Sequence, residues 1–138
     1  MKTQQIVLAA ASAEARPSTY QDHAYTILHL GFTVAPILFG LDKFLNLTTD
    51  WTKYVAPVIA GIIPATTFML IVGVIEIAAG VLVWFKPTIG AYVVAAWLLG
   101  IIVNLVVLLG GYYDVALRDF GLLLGALALG RLSHAYAR

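Results

Sequence analysis

The sequence predicts an all-α, polytopic membrane protein: a bundle of four spanning helices with a kinked first helix and a long, partly interfacial first connection. Two observations carry this. Of 138 residues, 62% are apolar and only 11% charged, whereas a water-soluble domain carries about 25% charged residues. The apolar residues also fall into four stretches of the roughly 20 residues needed to cross a bilayer. A third observation, developed below, is that each stretch keeps its small and polar residues on one face.

The elements follow in order. Residues 1–22 read as an N-terminal polar tail ahead of a transmembrane domain at 23–138. Met1-Lys2, then Ile6 to Ala11, with Ala11-Ser12-Ala13 behind, faintly resembles a signal peptide, but the apolar run is short. The tail is therefore read as retained, and a partner chain is the expected means of ordering it. The first span covers about 23–45 and contains Pro36, which a membrane helix tolerates as a kink. The second covers 66–85 and stops at Lys86-Pro87; the third covers 88–109 and is closed by Gly110-Gly111; the fourth covers 114–132. Between the first two spans, Trp51, Lys53, Tyr54, Pro57 and Pro64 surround an apolar stretch from Val55 to Ile63. That stretch is too short to span, so it reads either as an interfacial or re-entrant segment or as a packed loop with aromatic anchors.

Charge placement sets the expected orientation. With four spans, both termini share a side with the second connection. That side holds Lys2, Arg16, Lys86, Arg131 and Arg138, against Lys43, Lys53 and Arg118 on the other. Five cations against three put both termini in the cytoplasm. The net charge of +1 argues against nucleic acid as a partner, since phosphate binding needs a clustered basic surface. The absence of cysteine excludes disulfides, thiolate metal sites, cysteine nucleophiles and iron–sulfur clusters within the chain.

Ionisable side chains are costly in hydrocarbon and normally face the bundle interior, which makes them site candidates. Here they lie on stripes. His29, Thr33, Pro36, Gly40 and Lys43 share one face of the first helix, and Met69, Gly73, Glu76 and Gly80 one face of the second. Trp97, Gly100 and Asn104 line the third; Asp114, Arg118, Gly121 and Gly125 line the fourth. The glycines read first as close-packing positions between helices, with Gly121/Gly125 and Ala126/Gly130 as small-xxx-small pairs. At 1.5 Å per residue, Glu76 sits roughly 14 Å from either end of its helix, near the midplane. A buried network is expected to join Glu76, Arg118 and at least one of Lys43, Asp42 and Asp119, with Asn104 in the same outer half.

Two readings of this network stay open. It either fixes helix register, or it lines a cavity for a small molecule. A quinone headgroup would take donors such as Arg118, Asn104, Lys43 or His29 beside an apolar groove, and Glu76 would suit a proton path. One intramembrane histidine does not supply the two axial ligands of a membrane b-type haem, so His29 reads best as a packed, hydrogen-bonded side chain. No phosphate loop, Ser-His-Asp order or metal-ligand spacing is present. No intrinsic cofactor, metal or catalytic set is assigned; quinone or bound lipid is the expected ligand class.

Gly40-Leu41-Asp42-Lys43-Phe44, closing the first span, resembles the glycine-to-lysine signature of the DoxX-like family. Gly73-Val74-Ile75-Glu76-Ile77-Ala78-Ala79-Gly80 resembles that family's glutamate followed four residues later by glycine, and Lys86-Pro87-Thr88 with Gly90 is also similar. The resemblance covers about residues 25–132. It implies a compact four-helix membrane bundle in a bacterial inner (cytoplasmic) membrane. It also implies an accessory role beside a redox or electron-transfer assembly, since the family name comes from a subunit of a thiosulfate:quinone oxidoreductase. The family's glutamate and lysine correspond to Glu76 and Lys43; no catalytic set carries over. A quinone-linked oxidoreductase subunit is the alternative. The aromatic connection after Phe44 and the N-terminal tail have no counterpart in the resemblance.

Overall fold

The computed structural model describes residues 1–15 and 18–136. Arg16 and Arg138, used in the charge comparison above, lie outside the described residues. The described chain is all-helical, 84% helix with no strand. Helix α1 spans Lys2–Ala15, α2 Thr19–Leu45, α3 Pro57–Ala60, α4 Ala65–Phe85, α5 Pro87–Val103 and α6 Tyr113–Ser133. A 3-10 turn occupies Trp51–Tyr54, and α5 runs on into a π-helical segment at Asn104–Leu109.

The N-terminal segment departs from the expected tail. Helix α1 occupies most of it, and Met1 through Leu8 are exposed. The next helix also begins four residues before position 23. Its start is a capping box: Ser18 Oγ accepts from the Gln21 amide at 3.2 Å while Gln21 Oε1 accepts from the Ser18 amide at 2.7 Å. This pairing satisfies two of the four free donors at a helix start, so the polar run Ser18–Asp22 is drawn into the helix. Helix α2 then continues through Pro36 to Leu45.

Among the described residues, three helices are long and apolar enough to cross a membrane: α2, α4, and α5 together with its π segment. The chain's exterior fits that environment. Buried positions are dominated by small residues, and large apolar side chains point outward, Val74 57% exposed, Leu99 53% and Leu117 73% among them. Water would leave these side chains unburied, whereas a bilayer supplies them with apolar neighbours.

Packing is uneven. Helix α2 lies along α4 and α5 along α6 in the two extensive contacts; α4–α5 and α2–α6 join the pairs more sparsely. Glycine makes the α2–α4 contact possible. A Cβ on Gly80 would stand 2.7 Å from the Thr33 carbonyl oxygen, so no larger residue fits there without moving backbone. At the α4–α5 turn, Lys86 alone separates Phe85 from Pro87, and Pro87 takes the first helical position, where its missing amide is harmless. Three residues later, Gly90 sits against the backbone of Val83, 2.6 Å from where its Cβ would be. The main core grows from this apex: Val83, Ala91, Val94, Leu98, Ala126 and Leu129. Gly130 packs on the Tyr92 ring and Gly125 faces Phe32, but Gly121 faces open space, so the expected Gly121/Gly125 pair is not a helix contact.

The first connection is packed against the bundle. Val55, Met69 and Val72 form a second core beneath Trp51, Phe68 and Trp97.

Candidate functional site

The polar residues around the Lys43 end of the bundle divide into separate groups. Lys43, in the last turn of α2, and Glu76, halfway along α4, form an ion pair with Nζ–Oε2 at 2.8 Å and side chains only 5% and 10% exposed. The Lys43 ammonium also lies 3.9 Å from the centre of the Trp51 ring, a cation–π contact that strengthens where water is excluded.

Arg118 does not reach Glu76. Its side chain is 62% exposed and stands 3.6 Å from the carboxylate of its neighbour Asp119, which is buried. The expected single network through Arg118 is therefore two separate pairs. The carboxylate of the adjacent residue holds the guanidinium on the exposed side of the cavity wall.

Asp42 is also outside the Lys43–Glu76 pair, although it is next in sequence. On a helix, consecutive residues point about 100° apart, and its carboxylate turns to the connection. It accepts from the Leu47 amide at 2.9 Å, Thr48 Oγ1 at 2.6 Å and the Trp51 indole at 2.7 Å. Asn46 in the left-handed conformation (φ 50°) reverses the chain, and Asp42 then fastens the next five residues to the end of α2. The connection is held from the other side as well, because Asn104 Nδ2 donates to the Tyr54 carbonyl at 2.7 Å.

His29 lies at the opposite end of the bundle. Its Nε2–H donates to the Val83 carbonyl at 2.9 Å and is 3.2 Å from that of Trp84, with the ring stacked on Trp84 at 5.3 Å. Those carbonyls belong to the last turn of α4 and lack helical partners, so His29 acts as a cap from a neighbouring helix. At the same end, Tyr136 donates to Asp22 and stacks on Tyr25 at 4.1 Å. Partial burial, reinforced by the Asp22 carboxylate, pushes the Tyr136 phenol up to about 12.

Between α2, α4, α5 and α6 lies a cavity of about 590 Å³. Trp51 and Tyr54 contribute to its outer wall, Lys43, Glu76, Arg118 and Asp119 supply charge, and the remainder is overwhelmingly apolar. Trp97 and Asn104 also line it; behind its surface Asn104 Oδ1 is buried without a hydrogen-bond partner, and the Trp97 indole N–H is directed at the Glu76 carboxylate. Trp97 stands on the stripe read from the sequence but receives no role there; its indole N–H is directed at the carboxylate of the Lys43–Glu76 pair. Asn104 opens the π segment, and such segments are frequent at functional sites because the added residue re-aims its neighbours.

The charged groups around the cavity are already paired. No general acid–base set with an adjacent nucleophile emerges, and among the described residues no three His, Asp or Glu groups are placed to hold a metal ion. The chemistry on offer is recognition: an apolar chamber with a few fixed polar contacts. None of the known protein families, curated proteins or solved structures compared with this chain matches it.

Proposed function

We propose that this protein is a DoxX-like, four-span integral membrane protein that holds a small amphiphile, quinone or lipid in class, in its intramembrane cavity. In this role it serves a larger membrane redox or electron-transfer assembly. The observation that carries the reading is the cavity itself, about 590 Å³ of largely apolar space with the Lys43–Glu76 pair on its wall.

The fourth span belongs to this proposal. Every 18-residue window of α6 contains at least three of Asp114, Arg118, Asp119 and Arg131, which makes it less apolar than the others. Its 21 residues nevertheless rise about 31 Å, the thickness of the hydrocarbon core. Asp114 and Arg131 fall in its end turns, and Arg118–Asp119 lie at the cavity. With four spans both termini share one side, and the lysine and arginine distribution favours the cytoplasm of a bacterial inner membrane. The two segments that carry the DoxX-like resemblance, Gly40–Phe44 and Gly73–Gly80, are also those that meet at the α2–α4 crossing.

The accessory-subunit role draws on α1, where Ile6, Val7 and Leu8 are each at least 60% exposed, an apolar turn of helix suited to a partner chain or the membrane surface. One preparation tests both halves of the proposal. The protein is purified from its native membrane in mild detergent, extracted with organic solvent and analysed for retained small molecules and co-purifying chains. A quinone or a single lipid species at near-equal molar amount, together with a reproducible partner chain, supports it. A protein that runs alone and yields only bulk lipid overturns it.

A further inference from the structure

The least covered side of the chamber is the seam between α2 and α6. At the Lys43 end, Trp51 and Tyr54 lie over the chamber, held there by Asp42 and Asn104. Helix α3 touches both α4 and the π segment, which bridges the α4–α5 seam. Helices α2 and α6 meet at the other end, where Tyr136 stacks on Tyr25 and Gly125 packs on the Phe32 ring. One turn along from Gly125, Gly121 faces open space, so the two helices have parted. Beyond that point Phe39 on α2, and Leu122 and the Arg118 side chain on α6, line the chamber while being 43%, 39% and 62% exposed.

Along α6, Leu122, Arg118 and Asp114 follow one another at four-residue intervals on one face. They stand roughly 14, 8 and 2 Å from the first residue of the helix. An apolar side chain, a cation and an acid thus succeed one another from the membrane interior toward its surface. A phospholipid presents its parts in the matching order: acyl chain, phosphate and, in an ethanolamine head, a terminal ammonium.

We infer that the chamber takes a phospholipid with a primary-amine head, seated sideways from the adjoining leaflet through the α2–α6 seam. The inference rests on the four-span cavity reading above and names the occupant. One acyl chain passes between Phe39 and Leu122 into the apolar chamber. The phosphate meets Arg118, whose contact with Asp119 is Nη2–Oδ1 at 3.6 Å, longer than a hydrogen bond. A guanidinium carries five N–H donors in a planar fork, so an edge is left for the phosphate. The ammonium meets Asp114, which is exposed and has no ion-pair partner among the described residues. Residues four apart on a helix face stand about 5–6 Å apart, a gap that the two methylenes of an ethanolamine head span. Charge selects the head. Asp114 and Asp119 outnumber Arg118, so an acidic lipid adds repulsion and a zwitterionic one does not. A choline head is also zwitterionic but has no N–H to donate to Asp114. Lys43 does not alter this balance, because Glu76 and Trp51 engage it.

Native mass spectrometry of the full chain in detergent tests this, with an equimolar mixture of dioleoyl phosphatidylethanolamine, phosphatidylcholine and phosphatidylglycerol. One lipid per chain is expected, with the ethanolamine species favoured about three- to tenfold over either of the others. Asp114→Asn should bring the three close to equality, and Arg118→Gln should weaken all of them about tenfold. Both side chains are exposed, so neither change removes packing. Leu122→Trp, which fills the seam, should also lower all three. Free phosphoethanolamine, which lacks the chains, should not bind. Equal occupancy by the three lipids, or full occupancy in Leu122→Trp, overturns the inference and leaves the cavity reading standing. Preferential retention of a decyl-substituted benzoquinone added to the mixture does the same. A chain that retains neither lipid nor benzoquinone overturns both.

Discussion

Gly40 and Gly73 rest on each other's carbonyl oxygens. A Cβ on Gly40 would come within 2.6 Å of the Gly73 oxygen, and one on Gly73 within 2.8 Å of the Gly40 oxygen. Three residues further along each helix stand Lys43 and Glu76, joined at 2.8 Å. The two spacings are the same, so the glycine crossing and the ion pair are one structural unit. Close backbone approach is what brings a lysine on α2 within direct reach of a carboxylate near the middle of α4.

Replacing Gly73 by alanine should separate α2 and α4 at this crossing, costing about 1–3 kcal/mol. Gly100 has open space around it, so Gly100→Ala should be neutral or stabilising by up to about 1 kcal/mol through helix propensity. Thermal inactivation of the two variants in detergent, followed by size-exclusion chromatography, should rank them on opposite sides of wild type. Equal loss in both would show that the crossing is not tight.

Glu76→Gln leaves the Lys43 ammonium buried without its counter-charge and should cost about 3–5 kcal/mol. Lys43→Met combined with Glu76→Leu removes both charges and should recover most of that loss. A double-mutant cycle on thermal stability measures the coupling. A double variant no better than Glu76→Gln would mean that the pair contributes more than mutual neutralisation.

Asp42→Ala should free the first connection while leaving the bundle assembled. It removes the acceptor for the Leu47 amide, Thr48 hydroxyl and Trp51 indole together. Tryptic cleavage after Lys53, which is exposed, should then accelerate by an order of magnitude or more. Unchanged cleavage would place the restraint elsewhere, with Asn104 and Tyr54 the first alternative.

The Tyr136–Asp22 contact predicts a step in stability at alkaline pH. The folded phenol is pushed up to about 12, above the ordinary value of about 10, so folding favours its protonated form. The contribution is complete below about pH 10 and is lost between about pH 10 and 12. Spectrophotometric titration of phenolate in wild type and Tyr136→Phe should differ by one late-titrating tyrosine, and the stability step should vanish in the variant.

Helix positions were legible because they depend on apolar length and on breakers such as Lys86-Pro87 and Gly110-Gly111, which act locally. The start of α2 was misplaced because apolar length does not register a capping box, although Ser18 and Gln21 carry that signal at the right spacing. The stripes brought Lys43 and Glu76 onto facing surfaces correctly. Arg118 was assigned to the wrong partner because a flexible polar group takes the nearest acceptor, and spacing alone does not rank partners. The unpaired Asn104 Oδ1 is invisible in sequence, since an orphan is defined by what surrounds it.

The single-residue connection at Lys86 has a mechanical consequence. Helices α4 and α5 are pinned together beside it, where Gly90 meets the Val83 backbone, and the chamber opens toward the other end, between Glu76 and Trp97 and on to Asn104. The two tightly zipped pairs, α2–α4 and α5–α6, thus behave as the arms of a wedge with its apex at that turn. A lever of this kind multiplies small rotations: one degree at the apex moves the far end, about 30 Å away, by about half an ångström. The bore at the Asn104 end is therefore sensitive to packing at Gly90, fourteen residues away along α5 and its π segment.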